Sequence, residues 1–310
     1  MSGLLDSLKD YFARGPVLSL SFMLTGRSLS CLYAPGRERR ARSQALLALK
    51  PGAVVPSFER PNIKDTAELG EKIREALRRT QPAVREAALL VPESCLKSFI
   101  LTFDEFPASA EERRELLLWR LKKQMPSLPE DVRLSFDLLG NGSLQRVFIS
   151  VARPAVIGEF ENVFAAGGLK VRSVGLPTLG LFNLLDRDRE KDVLLANVEE
   201  DAVSLLAVLE GEPALYRFKP YLAESGPTGH SLENSVIKEV AGTLTYLEDR
   251  EKKTVKTLWL RGGLGADVSA LAEAFQKKLP LPVRTLEPPA SFGLTSRERH
   301  FLAPLLGYWA

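Results

Sequence analysis

VLLANVEEDAVSLLAVLEGEPALYRFK, residues 193–219, is the stretch whose reading decides the fold. It holds three apolar runs, Val193 to Val198, Ala202 to Leu209 and Ala214 to Lys219, separated by a short acidic turn and by Gly211-Glu-Pro213. Runs of this length, rich in Val and Leu and bounded by turn residues, read as consecutive strands joined by hairpins. Downstream, Asn234 or Ser235 caps a long helix with Val236, Ile237, Val240, Leu244 and Leu247 inward. Val255 to Leu260 reads as a buried strand. Arg261-Gly262-Gly263-Leu264-Gly265, a helix over 268–278 and a strand over 282–286 follow, and residues 295–308 can form a last helix.

The first half repeats this grammar. Val17 to Leu24 and Ser28 to Tyr33 read as a hairpin about Thr25-Gly26-Arg27. Residues 34–62, rich in Arg and Pro, are expected to be loop with little regular structure. Asp65 caps a helix running to about Arg79, and Ala87 to Val91 is a buried strand. A strand over 96–103 comes next, then a helix capped by Ser109 that carries Leu116, Leu117, Trp119, Leu121 and Met125 and stops at Pro126. Strands over 132–139 and 144–151 flank Asn141-Gly142, a strong hairpin turn. Pro154 opens a helix ending at Gly167-Gly168, residues 171–174 are a strand, and Pro177 opens a short helix to Leu185. The charged run 186–191 reads as a hinge. Strands alternating with helices in each half imply an α/β protein of two lobes. The expected division is a first lobe over 1–86, an inserted α+β module over 87–170 and a return with hinge over 171–189. A second lobe over 190–289 and a C-terminal helix in 290–310, packing on the first lobe, complete it.

Composition narrows the function. Of 310 residues 45% are hydrophobic and 26% charged, which is globular rather than disordered. Lys plus Arg number 42 and Asp plus Glu 39, so a net charge of +3 gives no electrostatic mandate for nucleic acid. No stretch approaches the roughly 18 apolar residues of a membrane span. Residues 2–13 form an amphipathic helix with Leu4, Leu5, Leu8, Tyr11 and Phe12 on one face, docked on the protein's own core or on a partner or membrane; it is no secretory signal. Cys31 and Cys95 make no disulfide framework, which fits a cytosolic protein. Two histidines, His230 and His300, read as solvated and can hardly supply a zinc site. No GxxxxGK[ST] phosphate loop, GxSxG elbow or HExxH motif occurs.

Two lobes opening on hairpin-joined strands, with a module inserted in the first, resemble the actin-like (ribonuclease H-like) nucleotide-binding fold. The sequence most resembles the PilM-type proteins of type IV pilus assembly, cousins of the cell-division actin FtsA. Pro92, Ser94, Ser109, Trp119, Pro126, Pro129 and Leu139-Gly140 carry the family's turn, capped helix, Pro-x-x-Pro break and strand end. VFISVARPAVIGEFENVFAAGGLKV (147–171), VEEDAVSLLAVLEGEP (198–213) and LWLRGGLGADVSALAEAF (258–275) match further family segments. The likeness covers roughly residues 14–290 in order and spacing and is weak at the nucleotide motifs.

Those motifs are where the sequence departs. The family's first phosphate motif is Asp-Ile-Gly; here the segment is LSLSFMLTGRSLSCLY (18–33), with no Asp or Glu between Gly15 and Arg37. In the second motif, the position fourteen before the hairpin glycine Gly211 is Asn197 instead of Asp, and Glu199 stands for Gly. The adenosine motif survives as Arg261-Gly262-Gly263, whose glycines also serve as plain turn-formers. A vestigial nucleotide cleft of Thr25, Gly26, Asn197, Glu199, Gly262 and Gly263 is therefore expected, with no catalytic residue, no metal and no cofactor, ATP being disfavoured. The resemblance implies a non-catalytic cytoplasmic scaffold, peripheral to the inner membrane. It would bind the cytoplasmic N-terminal tail of a single-span (bitopic) pilus-platform protein, and other platform proteins besides. In the family that tail lies between the first lobe and the module; here Phe103, Phe106, Leu117, Trp119 and Arg120 are the expected contacts. Trp119 can equally be core, and the basic run Arg37 to Arg42 a solvated loop or a lipid-facing patch. The competing classes are an active ATP-binding, ATP-hydrolysing actin-like enzyme, which needs a metal-orienting carboxylate in each phosphate hairpin, and a cytoplasmic component of a type II secretion platform.

Overall fold

The computed structural model describes residues 18–35, 43–139, 144–186, 189–221, 229–263, 266–288 and 294–309. The helix expected over 2–13, the basic run Arg37 to Arg42, the Asn141-Gly142 turn and the side chain of His230 lie outside the described residues.

Three sheets organise the chain. The first has the order β3-β2-β1-β4-β8, from β1 (Leu20–Leu24), β2 (Ser28–Tyr33), β3 (Ser43–Ala48), β4 (Glu86–Leu90) and β8 (Lys170–Gly175). The second has the order β11-β10-β9-β12-β13, from β9 (Val193–Val198), β10 (Ala202–Leu209), β11 (Glu212–Pro220), β12 (Thr257–Gly262) and β13 (Val283–Thr285). Each is an antiparallel meander continued by parallel strands, so the two lobes repeat one topology. The third sheet, β5-β7-β6, is made of β5 (Lys97–Phe103), β6 (Arg133–Leu139) and β7 (Gln145–Ala152), all antiparallel.

Helices cover both faces of the first sheet. They are α1 (Thr66–Thr80), α3 (Pro154–Ala166), the short α4 (Pro177–Phe182) and α7 (Ser296–Tyr308); α2 (Ala110–Gln124) covers the third sheet. The second sheet carries α5 (Gly229–Tyr246) and α6 (Val268–Lys278). Strand β1 is buried on both sides, which is why it reads as an unbroken apolar run. Phe22 packs edge-on to Phe164 of α3 with ring centroids 5.1 Å apart, while Met23 turns the other way to Leu302, Leu305 and Leu306 of α7 and Trp309 just after it. Local signals hold where caps are present: Asp65 accepts from the Glu68 N–H at 2.9 Å, and Thr295 with Glu298 forms a full capping box. The two-residue β10–β11 turn has positive φ at Glu210 (58°) and Gly211 (86°), the type I′ geometry that favours glycine.

Three expectations need correction. Residues 34–62 contain β3, which completes the first sheet by pairing with β2. That segment is also pinned by Asn62, fully buried, whose N–H and Nδ2 donate to Glu159 at 2.6 and 2.9 Å. The inserted module is narrower than 87–170: β4 pairs with β1 and β8, and α3 packs on β8 and α1, so both belong to the first lobe. Helix α5 begins at Gly229, before the expected caps Asn234 and Ser235. The module also touches the second lobe. Strand β5 lies against β11 of the second lobe, and Phe148 stacks edge-on to Tyr216 at 5.7 Å.

Glu93, between β4 and β5, ties these parts together. It is buried, accepts the Thr178 N–H of α4 at 2.8 Å and takes the Tyr216 hydroxyl of β11. Burial pushes its carboxyl above the usual carboxylate range, against the lowering effect of those hydrogen bonds. An acid raised in the folded chain binds its proton more tightly there than when unfolded. Stability from this site is therefore full below the ordinary carboxylate pKa and declines as pH rises toward the raised one. Urea melts across that window should show the decline in the native chain, and Glu93→Gln should flatten it while keeping the Thr178 bond. An unchanged slope in Glu93→Gln would assign the pH dependence elsewhere, with Asp201, also raised by burial, the next group to test.

Candidate functional site

Besides the apolar packing of α4 on β10, the two lobes approach each other at the tips of the β1–β2 and β9–β10 hairpins and beside Arg261 of β12. In the first tip, the Thr25 hydroxyl is engaged by its own turn, 2.9 Å from Ser28 Oγ and accepting the Ser28 N–H at 3.0 Å. Gly26 packs beside Pro56 and Val54. In the second, Asn197 is buried opposite Arg261 in the β9–β12 register, and its Oδ1 accepts Arg261 Nη1 at 3.0 Å. The same guanidinium is ion-paired with Glu199 and donates from Nη2 to the Phe301 carbonyl of α7 at 3.2 Å. The Glu199 carboxylate lies so close over Gly263 that a Cβ there would collide with it. A Cβ at Gly262 would collide with Val268 at the start of α6. Beside this cluster Arg27 of the first tip is ion-paired with Glu200 of the second. His300, expected to be solvated, is half-buried with Nε2 3.1 Å from the Gly262 carbonyl; burial, and then Arg261, lower its pKa.

Of the six expected cleft residues, Asn197, Glu199, Gly262 and Gly263 lie together around Arg261, with His300 beside them, while Thr25 and Gly26 sit in the facing hairpin turn, whose Arg27 reaches Glu200; sequence reasoning missed the roles of Arg261, Arg27, Glu200 and His300. These residues do not fit a magnesium-bound triphosphate. Three successive acids, Glu199, Glu200 and Asp201, occupy the second hairpin turn, where Glu199 and Glu200 already take up the Arg261 and Arg27 guanidiniums that could hold a phosphate and the Glu199 carboxylate covers Gly263. The first hairpin brings no acid to orient a metal. Among the described residues, no three His, Cys, Asp or Glu are placed to hold a metal ion.

Two open clefts lie elsewhere. One, of about 430 Å³, is confined to the module and lined by Thr102, Phe103, Asp104, Glu105, Leu116, Trp119 and Arg120. Trp119 is 51% exposed, with Lys123 Nζ 3.7 Å from its ring centroid. Leu117 is fully buried with Leu121 in the module core, and Phe106 packs there against Phe103 and Phe136. The other cleft, of about 260 Å³, runs between the module and the first lobe. Its walls are β6 and β8, each the outer strand of its sheet. Leu96, Leu134, Ile157 and Val174 give it apolar surface, and Ser135, Ser150 and Ser173 hydroxyls. Arg133 of β6 bridges it to Glu161 of α3 through paired contacts of 2.6 and 3.0 Å. None of Phe103, Phe106, Leu117, Trp119 and Arg120 lines this lobe–module groove, which corrects their expected placement. Which strands end as outer strands is set by long-range pairing, which the local sequence does not display.

The repeated five-stranded topology, with the two hairpin tips facing each other, defines a two-lobed actin-like fold. Comparison with solved structures places the chain beside a chain of the PilM-PilN type IV pilus biogenesis complex. The TM-score is 0.79 at 16% identity, over 95% of this chain and 98% of that one. A Bacteroides thetaiotaomicron protein of unknown function with an actin-like ATPase fold matches with TM-score 0.54 and 12% identity, over 93% and 94% of the two chains. The cytoplasmic domain of EpsL, an inner membrane component of the Vibrio cholerae type II secretion system, matches with TM-score 0.51 and 14% identity, over 87% and 89%. No protein-family model and no curated protein matches the sequence. No helix among the described residues is long and apolar enough to cross a membrane.

Proposed function

We propose that this protein is a PilM-like scaffold of a type IV pilus platform, at the cytoplasmic face of the inner membrane. It binds the N-terminal cytoplasmic tail of a single-span platform protein and needs no nucleotide hydrolysis to do so. The likeness in fold to a PilM-PilN complex chain over nearly its whole length supports the scaffold reading. The observation that carries the binding mode is the lobe–module groove flanked by two outer strands. An outer strand offers unpaired backbone N–H and C=O groups, and a groove with apolar pockets beside it suits an extended peptide added as a further strand. The likeness to the EpsL domain keeps a type II secretion platform as the second reading, with the same kind of partner.

The test is a titration of the full chain with a synthetic peptide of the partner's N-terminal segment, beside an assay of magnesium-ATP hydrolysis. Saturable peptide binding with hydrolysis at background is expected. Micromolar or tighter ATP binding with turnover would replace the scaffold by an enzyme. Trp119→Ala separates the two clefts. With the tail in the lobe–module groove, this variant binds as the native chain does. Truncating a half-exposed Trp held by one Lys costs about 0.5–1 kcal/mol of stability. A loss of about 2 kcal/mol in peptide binding, typical of a hot spot, would move the tail to the module cleft.

A further inference from the structure

We infer that the interlobe cleft of this protein carries its own ligand: the Arg261 side chain links the lobes where the fold family places a nucleotide. A ligand bound between two lobes stabilises their closed arrangement by contacting both at once. Arg261 does this from within the chain. It belongs to β12 of the second lobe and is 1% exposed. One nitrogen, Nη1, holds Asn197 and Glu199 of its own lobe, while Nη2 reaches the Phe301 carbonyl of α7. Helix α7 is anchored in the first lobe, with Trp309 Nε1 donating to the Leu18 carbonyl at 2.9 Å and Asn183 Nδ2 to the Gly307 carbonyl at 3.0 Å. The Glu199 carboxylate neutralises the guanidinium and covers Gly263, the surface a nucleotide would need. The Arg27–Glu200 pair adds a second tie, tip to tip across the cleft.

The two ties differ in strength. Arg27 and Glu200 keep side-chain exposures of 60% and 29%, so their pair is weak and salt-screened. The Arg261–Glu199 pair, at 2% and 19%, is shielded from salt, and removing one partner of such a pair is costly. The cleft therefore stays closed in every nucleotide condition, and magnesium-ATP has no arrangement to select.

Hydrogen exchange of the full chain tests this with and without millimolar magnesium-ATP. In the native protein the amides of 25–28 and 199–202 should exchange at rates that magnesium-ATP leaves unchanged. Arg261→Gln should speed exchange roughly tenfold in 197–202 and 299–303, with the module unaffected, as expected for a local opening. Arg27→Glu should speed exchange in the two tips, and the swap Arg27→Glu with Glu200→Arg should restore it. Arg27 is exposed and Glu200 partly so, and neither is in the core, so these variants fold even where Arg261→Gln does not. Protection of either tip by magnesium-ATP in the native chain, native exchange in Arg261→Gln, or a swap that fails to restore would each overturn the inference. The outcome is independent of the tail titration, because the lobe–module groove shares no residue with the cleft.

Discussion

Gly307→Val will lower the melting temperature by roughly 5–10 °C, corresponding to a loss of about 3 kcal/mol or somewhat more. Helix α7 lies on α4 with Gly307 against Gly180, so close that a Cβ at Gly307 would collide with the Gly180 carbonyl and one at Gly180 with the Pro304 carbonyl. Both obstacles are backbone, so no rotamer change relieves them. The helix must move, and it takes with it Leu302, Leu305, Leu306 and Trp309, which close the core against Met23, Leu32 and Leu90. Thermal melts with tryptophan emission give the readout: a lower midpoint and a red shift from Trp309. Gly158→Ala is the control, since open space surrounds that position within α3; it should be neutral or stabilising by about 0.5–1 kcal/mol. Equal melting of Gly307→Val and the native chain would mean that α7 is held by something other than this close approach.

Ser135→Trp will weaken tail-peptide binding by at least about 30-fold while leaving the melt near native. Ser135 is exposed on β6, opposite Ser150, and both line the lobe–module groove. An indole there fills space that an extended chain would occupy and covers the backbone edge it would pair with. The loss, about 2 kcal/mol, is of the size seen when a central contact of an interface is removed. Because the site is at the surface, the cost to folding should stay within about 0.5 kcal/mol. Isothermal titration of Ser135→Trp beside Trp119→Ala reads both clefts in one experiment. Native affinity in Ser135→Trp would remove the groove from the binding site.

Much of the architecture is written in local signals. Asp65, Thr295, Pro154 and Pro177 announce helix starts that depend only on caps and on the fixed φ of proline. The hairpin runs around 193–219 emerge as β9, β10 and β11 almost residue for residue. Strand β3 escapes notice because its six residues, SQALLA, sit between Arg-rich and Pro-rich flanks and gain strand character only by pairing with β2. Asn197 and Glu199 stand out in the sequence as misfits for phosphate, but their partner Arg261 does not. It lies in an ordinary-looking Arg-Gly-Gly turn, and only strand register sets it opposite Asn197. Leu117 and Leu116 are equivalent apolar letters. A helix rotation of about 100° between neighbours decides which is core and which faces the cleft.

Trp309 donates to a carbonyl 291 positions earlier in the chain. A ribosome adding roughly 5–20 residues per second leaves about 15–60 seconds between the emergence of those two partners. Until that interval ends, Met23, Leu32 and, once made, Leu90 have no helix to cover them. The first lobe is thus born with an apolar face that stays open to water and to other nascent chains until α7 arrives.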